Sequence, residues 1–148
     1  MIQETKIQFK PLHKDAKVPT YGTPFSAGAD LYAVLEQPVT LAPGQTVKIP
    51  TGFSFAIPEG MVGLIFARSG LGCKQGVAPA NKVAVIDSDY RGELLVYLHN
   101  HSAQPHTVQP GDRIAQIVFM PYVRAEFVVT DTLPATERDA GSFGHTGR

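Results

Sequence analysis

Cysteine occurs once in the chain, at Cys73, and tryptophan not at all. A single thiol excludes an internal disulfide and a thiolate zinc cluster, and the plain reading of Cys73 is an idle thiol. Net charge is also missing: 13 basic residues balance 13 acidic ones. No run of Lys or Arg supplies the basic face that phosphate neutralisation along a nucleic acid requires, so a nucleic-acid partner is not expected. A local cationic pocket for one phosphorylated small molecule stays open. No apolar stretch is long enough to span a bilayer, and no membrane association is expected. The opening MIQETKIQFK lacks the apolar core of a signal peptide, which makes a soluble cytoplasmic protein the default expectation.

What is present is enough for one domain. The chain has 148 residues, 43% of them hydrophobic and 18% charged, so it can bury a core. Its 14 glycines and 12 prolines are scattered and cut it into short segments. Many turns and no long helix follow from that punctuation. Between the breaks lie DLYAV, TVKIPTGFSFAI, MVGLIFA, KVAVI, ELLVYLHN, RIAQIVFM and AEFVV, rich in the residues that suit a pleated, half-buried surface. No segment sustains a 3.6-residue apolar period; SGLGCKQ is the best helix candidate, at a turn or two. These patterns predict an all-β sandwich or barrel with one short helix. The glycine-rich GSFGHTGR after the last strand has the composition of a mobile tail.

Several stretches could carry chemistry. VIDSDYRGE (85–93) sits between two strand patterns, which predicts a hairpin tip or shoulder. Asp87, Asp89 and Gly92 imitate the start of a calcium loop, but Arg91 stands at the fifth position and Leu98 at the twelfth, where oxygen ligands belong. Calcium is excluded, and the choice narrows to a solvated turn or part of a site. Period two places Val85, Asp87 and Asp89 on one face, and Asp87 follows directly on an apolar run. In ARSGLG (67–72), Ser69 could cap a short helix and Arg68 could add charge-assisted bonds to a phosphate, although a plain strand-to-helix turn explains the same residues. Gln116, polar within IAQIVF, reads as an outward-facing residue as readily as a ligand. SAGADLYA leads through small residues to Asp30, consistent with close backbone packing. His99 and His101 share a strand face but have no third ligand at suitable spacing, which leaves them as surface residues.

Taken together and in order, these stretches resemble the five motifs of the trimeric dUTP pyrophosphatase (dUTPase) family. SAGADLYA is similar to the first, ARSGLG to the second, NKVAVIDSDYRGE to the third, GDRIAQIVF to the fourth and RDAGSFGHTG to the fifth. The resemblance implies a jelly-roll-like β-barrel over residues 1–137 and an arm, 138–148, that closes over a neighbour's site in a homotrimer. It implies hydrolysis of dUTP to dUMP and pyrophosphate with Mg²⁺, which limits uracil in DNA and supplies dUMP. By position, Asp87 would activate the attacking water. Tyr90 would pack on the deoxyribose, while Asn81 and the backbone around Val85 would read uracil. Arg68, Ser69, Gly70 and Gln116 would hold phosphates, and Asp30 would orient water on the metal. In the arm, Phe143 would stack on the base while Arg138, His145 and Thr146 approach the phosphates. Two positions depart from the family pattern: Ala84 stands where glycine is common, and Ser142 and His145 alter the tail motif.

Phosphate-ester hydrolysis is among the slowest uncatalysed reactions, so such a site must place water in line and spread the triphosphate charge. Two rival readings remain: a dCTP deaminase-like enzyme, which shares the fold but not the tyrosine-bearing third motif, and a non-catalytic nucleotide-binding β-domain.

Overall fold

Proline and glycine set the strand lengths. A computed structural model describes residues 4–142, and in it no strand exceeds the nine residues of the last. In chain order the strands are β1 (Gln8–Pro11), β2 (Thr20–Tyr21), β3 (Ala29–Tyr32), β4 (Val39–Leu41), β5 (Thr46–Pro50), β6 (Phe53–Ala56) and β7 (Met61–Phe66). A single helical turn, Gly70–Lys74, follows. Then come β8 (Val77–Pro79), β9 (Ala84–Ile86), β10 (Leu95–Asn100), β11 (His106–Val108) and β12 (Arg113–Pro121). The all-β architecture with one short helix is the one the sequence predicts. The described residues contain no helix long and apolar enough to cross a membrane.

All the pairings are antiparallel. The largest sheet runs β2-β3-β12-β7-β9, a second runs β5-β10-β8, and β1-β6 and β4-β11 form two-stranded ribbons. Strands β3 and β10 alternate inward and outward, as one buried face requires. On β3, Ala29 and Leu31 face the core while Asp30 and Tyr32 face out. On β10, Val96, Leu98 and Asn100 are buried. The core collects Leu31, Ile65 and Ile117 from the five-stranded sheet against Ile49 and Leu98 from the three-stranded one. Phe9, Phe53, Phe55 and Phe119 link the ribbon β1-β6 to β12, with successive ring centroids 4.7, 5.6 and 5.8 Å apart, the tilted and edge geometries that aromatic quadrupoles favour.

One buried polar side chain, Asn100, is fully used. Its Nδ2 donates to the Leu41 and Gln104 carbonyls at 3.0 and 2.7 Å, and its Oδ1 accepts from the Ser102 amide at 2.9 Å. Because an unpaired buried polar group costs ~1–3 kcal/mol, this network fixes how β10 meets the end of β4.

Three local expectations are overturned. The KVAVI and ELLVYLHN segments do not form a hairpin with each other. Instead β9 pairs with β7, while β10 pairs with β5 and β8, so VIDSDYRGE is a crossing between two sheets. Period and turn chemistry fix a strand's faces but not its neighbour. AEFVV is not a strand either: residues 122–130 have no regular structure, and Phe127, Val128 and Val129 are exposed. Its apolar pattern is real, but the chain offers it no ladder partner among the described residues. Finally, Ser69 precedes the helical turn without capping it. The residue is itself in the right-handed helical region and its hydroxyl makes no cap bond, whereas a capping residue adopts extended dihedrals.

Candidate active site

The first group of predicted residues gathers on the outer face of the five-stranded sheet. Asp30 on β3 lies directly opposite Gln116 on β12, which lies opposite Phe66 on β7. Arg68 and Ser69 follow immediately after β7. Asp30, Arg68, Ser69 and Gln116 therefore line one cleft of about 490 Å³, together with Ser26, Gly28 and Arg113. Gly70 turns away and lines a neighbouring concavity that shares Arg68 and Arg113.

The charges in this cleft are tightly arranged. Arg68 Nε donates to Asp30 Oδ1 at 2.7 Å and Arg113 Nη1 donates to Asp30 Oδ2 at 3.2 Å. The Asp30 side chain is only 13% exposed, against 26% for Arg68 and 52% for Arg113. Exposed ion pairs contribute ~0–1 kcal/mol and half-buried charges are costly to desolvate. The cluster is therefore a poor device for stability and a good one for holding guanidinium groups in place. Gln116 is fixed as well: its Nε2 donates to the Ala67 carbonyl at 2.9 Å, and its amide lies against Gly28. A Cβ at Gly28 would collide with Gln116 Oε1 and stand 3.1 Å from its Cδ. The close packing read in SAGADLYA is a close approach to this one side chain.

Asp87 lies elsewhere. Val85 and Asp87 line a separate concavity of about 890 Å³ with Ser88, Asp89, Arg91 and Arg124. Asp87 is exposed and opens a turn in which the Tyr90 amide donates to its carbonyl at 3.2 Å. Arg91 Nη1 ties that turn by donating to the Ser88 and Tyr90 carbonyls at 2.6 and 2.9 Å. Tyr90 folds back over Gly92 and its hydroxyl donates to the Glu93 carbonyl at 2.9 Å. A Cβ on Gly92 would reach within 2.6 Å of Tyr90 Cζ, so the ring's position depends on that glycine. In the sequence Gly92 stands out only as a calcium-loop mimic.

Asn81 is exposed in the turn before β9, where Lys82 adopts φ 65°. Lys82 Nζ bonds His101 Nε2 at 2.8 Å, which requires that nitrogen to be the unprotonated acceptor. The His101 pKa is lowered by partial desolvation, then by the Lys82 ammonium, then by His99, in keeping with a neutral acceptor ring. No group of three His, Cys, Asp or Glu among the described residues could hold a metal, so His99 and His101 remain an imidazole pair with ring centroids 4.3 Å apart. Arg138 lies on the exposed tail and bonds within its own turn, Nε to the Gly141 carbonyl at 2.9 Å. Phe143, His145 and Thr146 lie outside the described residues. One chain thus brings together Asp30, Arg68, Ser69 and Gln116, and separately Val85 and Asp87.

Arg113, like Gly92, is a residue that the sequence does not single out. The available signal was a conflict of parity. Arg113, Ala115 and Ile117 share a strand face by period two, yet a cation cannot share the face that buries the other two.

An antiparallel β-domain with a guanidinium-lined cleft on one sheet face and a carboxylate shoulder at the sheet's far edge is a scaffold for an anionic ligand. Comparison with known proteins narrows the class. The family model described as dUTPase matches residues 14–147. The deoxyuridine 5'-triphosphate nucleotidohydrolase of Desulfitobacterium hafniense (strain DSM 10664 / DCB-2) is 51% identical over 145 residues, 97% of this chain and 96% of that protein. A mutant dUTPase of Staphylococcus bacteriophage 80alpha, solved with dUpNHpp, superposes with a TM-score of 0.88 at 26% identity, covering 98% of this chain and all of that one. A mutant dUTPase from phage phi11 of S. aureus, whose structure describes coordination of a structural Mg(II) ion, shares the fold with a TM-score of 0.79 at 23% identity over 88% of this chain and all of that one. The chain belongs to the dUTPase family.

Proposed function

We propose that the hydrolysis of dUTP to dUMP and pyrophosphate, the activity of this family, runs here at sites assembled between copies of the chain, with Asp87 as the base that activates the attacking water. The observation that carries this reading is the division of labour within one chain. The cationic, donor-rich cleft around Arg68 and the exposed carboxylate of Asp87 line different concavities. A second copy presenting its Asp87 shoulder to the first copy's cleft joins the two halves, which accords with a homotrimer. The tail would then complete the site, with Phe143 on the base and Arg138, His145 and Thr146 toward the phosphates.

In such a site Arg68, the Ser69 hydroxyl, the Gly70 backbone and the Gln116 amide hold the triphosphate and spread the charge of the departing pyrophosphate. Asp87 takes the proton as water attacks the α-phosphorus, and it acts mainly through position. The outer edge of β9, which ends its sheet among the described residues, suits backbone readout of uracil around Val85, with Asn81 beside it. Tyr90 packs against the deoxyribose and leaves no room for a 2′-hydroxyl.

Mg²⁺ fits this donor set in one way. The described residues hold no three-ligand cluster, and each Asp30 oxygen already accepts from an arginine. Asp30 therefore suits a water-mediated contact, through its remaining lone pairs, to an ion carried mainly by the substrate phosphates. When bound, Mg²⁺ supplies neutralisation of the triphosphate charge.

Pyrophosphate release from dUTP, dCTP, dTTP and UTP with Mg²⁺ tests the reading. Turnover of dUTP is expected to exceed each of the others by about 100-fold or more: cytosine leaves groups that pair with uracil's edge unpaired, while thymine's methyl and the 2′-hydroxyl of UTP are excluded by bulk. Deamination of dCTP, or binding of dUTP without release of pyrophosphate, would point to one of the rival readings. Sedimentation of a fully active single copy would refute the shared site. In the same panel Gly92→Ala, which displaces the Tyr90 ring, should raise UTP turnover relative to dUTP by about tenfold; an unchanged ratio would remove Tyr90 from sugar selection.

A further inference from the structure

β12 changes face partway along its length. Opposite β3, Gln116 pairs with Asp30 and Ala115 with Leu31, but Arg113 pairs with Tyr32. Two residues of β12 therefore span one step of β3, with Ile114 as the extra residue of a β-bulge. Ile114, Ala115 and Ile117 are all buried. Without the bulge Arg113 would share the inward face of Ala115 and Ile117. With it, Arg113 joins Asp30 and Gln116 on the outer face, a re-aiming that bulges beside functional sites commonly perform.

The re-aimed guanidinium meets the one carboxylate that also holds Arg68. The terminal torsion of an aspartate is broad, so a single bond to one oxygen leaves the carboxylate plane poorly fixed. Here the two oxygens are taken by different arginines, Oδ1 by Arg68 Nε and Oδ2 by Arg113 Nη1. With Arg68 held through Nε, its two terminal nitrogens bond no other side chain among the described residues and can face a ligand in the cleft. We propose that Arg113 is a positioning residue for the known reaction: turned outward by the bulge, it pins Asp30 from the second oxygen and so fixes the Arg68 guanidinium toward the triphosphate. The inference rests on reading this cleft as the phosphate-holding half of the site.

A double-mutant cycle on the full chain tests it, with kcat, KM and melting temperature measured for dUTP. Arg113→Ala should lower kcat/KM by ~10–100-fold, the usual cost of misplacing a binding group through its support, while the melting temperature holds because Arg113 is half-exposed. Arg113→Lys, which restores charge but not the planar fork, should recover part of the loss. With Arg68→Ala already in place, adding Arg113→Ala should cost no more than about twofold, since the guanidinium through which Arg113 acts is gone. Multiplying losses would show that Arg113 acts on the phosphates by itself, and Arg113→Ala within twofold of the parent would show no role at all; either overturns the proposal. If Arg113→Ala does not fold, Arg113→Gln carries the same cycle. A parent chain that fails to turn over dUTP would overturn the phosphate reading beneath, whereas an active parent beside an unaffected Arg113 variant overturns this inference alone.

Discussion

Asp87→Asn should lower the kcat for dUTP by about 1,000-fold, within the usual range for removing a general base, while the melting temperature and the affinity for a non-hydrolysable dUTP analogue stay near those of the parent. The physical reason is local. Asp87 is exposed, and the described bond that involves it runs through its backbone carbonyl to the Tyr90 amide, so the amide side chain changes neither turn nor core. What it removes is the ability to accept a proton from water. Asp89 shares the face by period and lines the same concavity, and so provides the control: Asp89→Asn should keep most of the parental rate. Steady-state kinetics of both variants decide the matter. Near-parental turnover of Asp87→Asn with loss in Asp89→Asn would move the base by two residues and refute the assignment.

Removing residues 138–148 should cut kcat/KM by about 100-fold or more, on the scale that lost orientation and phosphate contacts carry, without lowering the melting temperature. The described part of this segment is almost wholly exposed, and its contacts are short-range: the Arg138–Gly141 turn and the Asp139 amide donating to Thr136 Oγ1. The core has no stake in residues 138–142. The truncated chain should therefore unfold as the parent does and fail only in catalysis, as a lid that closes for chemistry and opens for release would. Full activity after truncation would refute a catalytic role for the arm, and loss of the cooperative thermal transition would refute its independence from the barrel.

Fold class was legible because it depends on local statistics. Scattered Gly and Pro, short branched and aromatic runs and the lack of a helical period leave little but antiparallel β; β5, β7 and β10 lie within runs marked in the sequence, and β12 exceeds its run only by Pro121. Pairing was not legible. Nothing in KVAVI says that its partner is β7 rather than β10, because any neighbour offering backbone donors and a half-buried face would satisfy it. AEFVV shows the converse limit: a strand-like pattern states a need for burial and not where the burial occurs. The short strands β1, β2, β4, β8 and β11 carry too few residues for a period to register.

The candidate site divides along the same line. Asp30, Arg68, Ser69 and Gln116 were readable through motif order, and they meet because β3, β12 and β7 are neighbours. Arg113 and Gly92 were not read, since each acts through a relation that spacing does not encode. Arg113 depends on a slipped register, and Gly92 on the room that a folded-back tyrosine ring needs. The conflict between a cation at 113 and apolar residues at 115 and 117 was visible in the sequence, but only the backbone shows how it is resolved.

That bulge carries a further consequence, for how the gene can vary. At Ile114 the protein can accept a change of spelling but not of count. Exchanging Ile114 for another apolar residue preserves inside and outside, whereas deleting one codon there would carry a guanidinium into the apolar layer between the sheets and leave Asp30 answering to a single arginine.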